Sequence, residues 1–157
     1  DYVLTNGSLE VKNTFVHKDN INQLIDRWQA TSGGLDLLSL DIDGNDYHVL
    51  ESIKTLNTRL IILEYNSKYR PPVKWVMKYN PNHSYVFSDY YGASLKSLEV
   101  LLLAKGYKLV GCNLSGVNAF FILPQFFQNA YGRYWDFPLV FKRVPWFLIV
   151  FTVLFRC

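Results

Sequence analysis

With 157 residues, half of them hydrophobic and 17% aromatic, the chain has enough apolar surface for one domain with a real core and is not a disordered polymer. Its formal charge of +3 comes from scattered Lys and Arg with no dense basic stripe, which argues against nucleic acid as a partner. Two cysteines, Cys112 and Cys157, are too few for a disulfide framework, and no Cys/His spacing suggests zinc, so a reducing, cytoplasmic setting is the default.

The chain begins at Asp1-Tyr2-Val3-Leu4 as if inside an element, with no initiator Met or signal peptide, so the expectation is a fragment of a longer protein. Leu9–Val16 alternates as a strand does. Asn20–Gln29 then sets Ile21, Leu24, Ile25 and Trp28 on one helical face, with Asp19 or Asn20 placed to cap its start and Ser32-Gly33-Gly34 to end it. Leu35–Tyr47 (LDLLSLDIDGNDY) is the pivot of the chain. Its apolar run ends in Asp41 and Asp43, Gly44 and Asn45 break the extended backbone, and helical spacing resumes to Ile53. A nearly continuous apolar run suggests a strand covered on both faces, as in a parallel sheet. Arg59–Tyr65 (RLIILEY) is a second such strand, ending in Glu64. Strand and helix in alternation predict βαβ units with right-handed crossovers.

Residues 66–92 hold Pro71, Pro72 and Pro81 and cannot be regular. They are basic and aromatic, through Lys68, Arg70, Lys74, Trp75, Lys78, Tyr79, Tyr85, Tyr90 and Tyr91, and read as a lid or insertion loop. Gly92–Lys105 is an amphipathic helix stopped at Gly106. Tyr107–Cys112 and Val117–Leu123 are strands whose short joint allows only an antiparallel hairpin. The predicted fold is therefore α/β: a mostly parallel, partial Rossmann-like sheet with a C-terminal antiparallel hairpin and helices on both faces. Residues 1–123 form the domain and 124–157 an aromatic, apolar tail. Within the tail, 145–155 has about half of the ~20 residues a membrane span needs. It reads as a terminal strand or helix, as an interfacial membrane anchor, or as the start of a span.

Ligands in parallel sheets bind at the carboxyl ends of strands. If three parallel strands lie side by side, that rim gathers Val16–Asn20, Asp41, Asp43, Asp46, Glu64 and Asn66, with Asn113 and Asn118 from the hairpin. Carboxylates with an amide oxygen suit a hard cation such as Mg²⁺. They equally suit sugar hydroxyls or general-base work. Each has a plainer role: Asp43 can bond turn amides, Asp46 can cap the helix, Asn118 can close the hairpin, and His17 and His48 can be solvated. No Walker A, GxGxxG, G-x-S-x-G or EF-hand pattern is present.

The segments DLLSLDIDGNDY, IILEYN, YYGASLKSL and KGYKLVGCNLSGVNAFFI resemble the C-terminal half of an FkbM-related, class I S-adenosylmethionine-dependent methyltransferase-like family, over Leu9 to Leu123. The resemblance implies a sheet whose last hairpin reverses one strand. It implies S-adenosylmethionine as cofactor of the complete protein, with His17, Lys18, Asp19 and Asn20 near its adenine. By the same carry-over Asp41, Asp43 and Glu64 are catalytic. Asp41, Glu64 and Asn66 hold a divalent metal, and Asn66, Asn113 and Asn118 meet a small-molecule or glycan acceptor. The Gly-rich loop and ribose-binding acid of such enzymes are not visible in this chain. Two other readings stand beside methyl transfer. One is a metal-dependent glycosyltransferase using Asp41-Ile42-Asp43 as a strand-end DxD. The other is a non-catalytic module that keeps the sheet alone.

Overall fold

The apolar run after Leu35 becomes the strand around which the sheet is assembled. The computed structural model describes residues 2–3, 10–32, 35–126 and 148–152. In chain order these give β1 (Tyr2–Val3), β2 (Glu10–Val11), α1 (Ile21–Ser32), β3 (Leu37–Asp41), α2 (Asp46–Ser52) and β4 (Leu60–Glu64). There follow α3 (Leu95–Ala104), β5 (Lys108–Cys112), β6 (Asn118–Ile122) and β7 (Leu148–Thr152).

The main sheet has the order β5-β6-β4-β3-β7. It is mixed rather than mostly parallel: β3 pairs in parallel with β4 and β7, whereas β6 is antiparallel to both β4 and β5. The cause is position. The short joint between β5 and β6 forces a reversal, as the sequence implied, but β6 inserts between β5 and β4 instead of closing the edge. One reversed strand thereby makes two antiparallel pairings.

Of Leu9–Val16, the described residues 10–16 do not join this sheet. Among them Glu10 and Val11 form a strand, paired antiparallel with Val3 and Tyr2 in a separate two-stranded sheet. The place beside β3 belongs to β7, in register from Leu37↔Leu148 to Asp41↔Thr152. A central strand asks for an apolar, β-branched neighbour, which LIVFT supplies and LEVKNTFV, interrupted by Lys12 and Asn13, does not. The segment 124–157 is thus not wholly a separate tail, because 148–152 completes the sheet. No helix among the described residues is long and apolar enough to cross a membrane.

The described helices cover one face of the sheet. Leu38 and Leu40 stand in register with Ile61 and Leu63, and these with Phe121 and Ala119. All of them are buried in one cluster with Ile21 and Ile25 of α1, Val49 and Leu50 of α2, and Leu98 and Leu102 of α3. The crossovers β3–α2–β4 and β4–α3–β5 step in the same direction across the sheet, so right-handed connections put both helices on one side. Helices on both faces, expected from the apolar runs, are not found among the described residues. The other face carries Leu37, Ser39, Asp41, Ile62, Glu64, Asn118 and Phe120, each half-buried.

Residues 66–92 have no long element and fold back onto the residues that lead into α3. Val76 bridges Ala93, the Met77 amide donates to the Gly92 carbonyl at 2.9 Å, and the Ser94 amide to the Trp75 carbonyl at 2.8 Å. Ser94 caps α3, and Gly106, at φ 89°, ends it in a conformation that disfavours any side chain.

Candidate metal centre

Strand register alone brings two carboxylates together. Leu40 pairs with Leu63, so Asp41 and Glu64, one residue on, end neighbouring parallel strands at the same margin. Glu64 in turn stands opposite Asn118. Asp43 joins them because the chain turns back at once: its φ of 59° lies in the left-handed region, which Asp tolerates better than most residues. One carboxylate oxygen from each of Asp41, Asp43 and Glu64 falls within 4.8 Å of the others.

Such a cluster resists full ionisation. Burial, then repulsion from Asp43, raises the Asp41 carboxyl above the usual range. Burial raises Asp43, with His83 pulling the other way. Glu64 is pushed up to about 8 by burial, then by Asp41, Asp46 and Asp43. With no cation present, Glu64 therefore holds its proton at neutral pH. A divalent cation can replace that proton, because carboxylate oxygens crowded at this spacing match what a hard ion demands. A carboxyl titrating near neutrality also suits general acid–base work.

Asp46 holds the turn rather than capping the helix. It opens α2, is buried, and accepts the Ile42 and Gly44 amides, one per oxygen, each at 2.9 Å. Burial pushes its carboxyl up to about 6, while those amides pull it down. Asn45, the residue before α2, makes no side-chain cap bond. It exchanges two bonds with Asn80, donating Nδ2 to the carbonyl at 2.7 Å and accepting the amide at 3.2 Å.

The basic, aromatic loop closes over this turn. His83 Nε2 lies 3.0 Å from the Asp43 carbonyl, with its ring against Gly44; a Cβ there would sit 2.3 Å from His83 Cδ2. His48 is not solvated: its Nε2 is 2.7 Å from the Met77 carbonyl and its ring meets Tyr79 edge-on. Lys18 Nζ lies 4.6 Å from the centre of the Tyr79 ring. Tyr91, raised first by burial and then by the Glu64 charge, borders the acids from the loop side.

No family model, curated protein or solved structure matches this chain.

The residues expected at the site thus divide. Asp41, Asp43 and Glu64 converge, and Asn118 shares their row. Asn66 is buried and hydrogen-bonded to the loop: its Nδ2 donates to the Asp89 and Tyr91 carbonyls and its Oδ1 accepts the Lys68 amide. It ties down the loop, with one hydrogen bond on its side-chain oxygen. Asn113 Oδ1 accepts the Val117 and Asn118 amides and shapes the hairpin turn. Asn20 closes the start of α1, accepting the His17 amide at 2.9 Å and donating to the Phe15 carbonyl at 2.7 Å. Asp19 faces His17 Nδ1 at 3.7 Å. His17, Asp19 and Asn20 follow no strand of the main sheet, and Asn20 is occupied by the turn.

His83 and Asn80 escaped the sequence reading. Their bonds to the acid turn span 40 and 35 residues, which no local periodicity reports.

Proposed function

We propose that this chain is the acceptor-side part of a divalent-cation-assisted O-methyltransferase, with Asp41, Asp43 and Glu64 as the cation ligands. The convergence of these carboxylates at the ends of adjacent parallel strands, under the loop 66–92, carries the reading. The resemblance of IDGNDY and GCNLSGVNAFF to the methyltransferase-like family supports the transfer chemistry, as does the reversed strand of the final hairpin. The acceptor is a polar hydroxyl compound, with a sugar as the natural candidate beside so many oxygen acceptors. A bound Mg²⁺ or Mn²⁺ would supply Lewis-acid polarisation of that hydroxyl. Asp41 would receive its proton, Glu64 would give up its own on loading, and the loop would exclude water. S-adenosylmethionine, held by the complete protein, would supply the methyl group.

Asp41 and Asp43 are both in the cluster, which keeps the DxD glycosyltransferase reading as a second one. Titration of Mn²⁺ separates these from a non-catalytic module. Asp41→Asn should weaken cation binding by more than about tenfold, since unit charges in contact near a protein surface interact by about 4 kcal/mol. Cation-dependent binding of a nucleotide sugar would favour glycosyl transfer. Absence of cation binding would leave the module.

A further inference from the structure

Four large apolar residues of the loop 66–92 face solvent: Val73 is 47% exposed, Val86 67%, Phe87 89% and Tyr90 53%. On the same loop Lys68, Arg70, Lys74 and Lys78 are exposed, and the loop's single acid, Asp89, lies 3.6 Å from Lys68. This display is framed. Tyr69 stacks on Trp75 at 4.1 Å, Trp75 meets Tyr90 edge-on at 5.5 Å, and the Tyr90 hydroxyl accepts the Lys78 amide at 3.2 Å. Phe87 also sits at φ 54°, a conformation costly for a bulky residue and one that its near-complete exposure does not repay.

From these features we infer that the loop 66–92 docks the protein on an anionic lipid surface. Val86 and Phe87 enter the interface, and Lys74, Lys78 and Arg70 meet the headgroups. Exposed apolar side chains together with exposed cations on one loop match the layered chemistry of a bilayer edge, where apolar burial and attraction to anionic lipid add together. Phe87 and Tyr90 expose rings, but Tyr69 and Trp75 cover each other, and the exposed aliphatic Val73 and Val86 suit a lipid interface rather than base stacking. This contact is separate from the membrane reading of 145–155, of which 148–152 is a strand within the sheet. The inference stands apart from the cation reading, because it uses none of the acids.

Sedimentation of the whole chain with phosphatidylcholine vesicles, with and without about one-third phosphatidylserine, tests it. Binding to the anionic vesicles should be strong, and weakened by salt. Val86→Ser with Phe87→Gly should lower partition by about tenfold or more. Because Gly relieves the backbone at 87, the melting temperature of that variant should hold or rise, which separates docking from folding. Lys74→Glu with Lys78→Glu should lower partition about as much and flatten the salt dependence. No partition, or unchanged partition in the apolar variant, overturns the inference. So does a loss confined to the charge variant with equal binding to heparin, which would assign the surface to an acidic macromolecule.

Discussion

Asp46 and Gly44 show how a few atoms fix the acid turn. Both oxygens of Asp46 are spent on the Ile42 and Gly44 amides, so Asp46→Ala leaves two donors unpaired near a buried site. It should cost about 1–3 kcal/mol in a denaturant titration. Gly44→Ala should be destabilising by a similar amount, about 1–3 kcal/mol, because its Cβ meets the His83 ring at 2.3 Å. Gly44→Ala combined with His83→Ala should recover part of that loss; strictly additive costs would show that the ring is not the obstacle. Glu64 makes stability depend on pH. In the unfolded chain its carboxyl ionises near 4.5, whereas in the fold it keeps its proton to about 8. The native state binds more protons across that window, so stability falls as pH rises through it. Asp46 adds to the fall up to about 6. Since Glu64 is partly exposed, the slope should be about 1 kcal/mol per pH unit or less. Melting curves of the cation-free chain should show this decline, and Glu64→Gln should flatten its upper half.

At the scale of elements, the loop 66–92 is fastened to the acid turn at Asn45–Asn80, His83–Asp43 and His48–Met77, and to β4 through Asn66. Asn66→Ala should therefore open the loop to limited proteolysis and cost about 1–3 kcal/mol, while leaving cation affinity within about twofold. A large loss of cation affinity would return Asn66 to the site. The central elements were legible in the sequence because they are punctuated locally. Gly44-Asn45 breaks β3 from α2, Gly106 ends α3, and the hairpin joint is too short for anything but a reversal. Strand partners were not legible. Whether Leu9–Val16 or Leu148–Thr152 flanks β3 is decided by a pairing across more than 100 residues, to which alternation within either segment is blind. Nor could spacing tell that Asn66 and Asn113 bond backbone groups, because that depends on where neighbouring amides and carbonyls point.

For the molecule as a whole, three helices and six inward strand residues make a core on one side of the sheet, and the acids occupy the other side's carboxyl margin. That division lets the core carry stability while Asp41, Asp43 and Glu64 remain crowded and half-buried, with each carboxyl raised above its ordinary range. A single calorimetric experiment bears on this most directly: Mn²⁺ titrated into the chain at about pH 7, in two buffers of different ionisation enthalpy. The account predicts one bound cation, release of about one proton as Glu64 ionises, and loss of both signals in Asp41→Asn. Absence of binding, binding with no proton released, or equal binding by Asp41→Asn would contradict it.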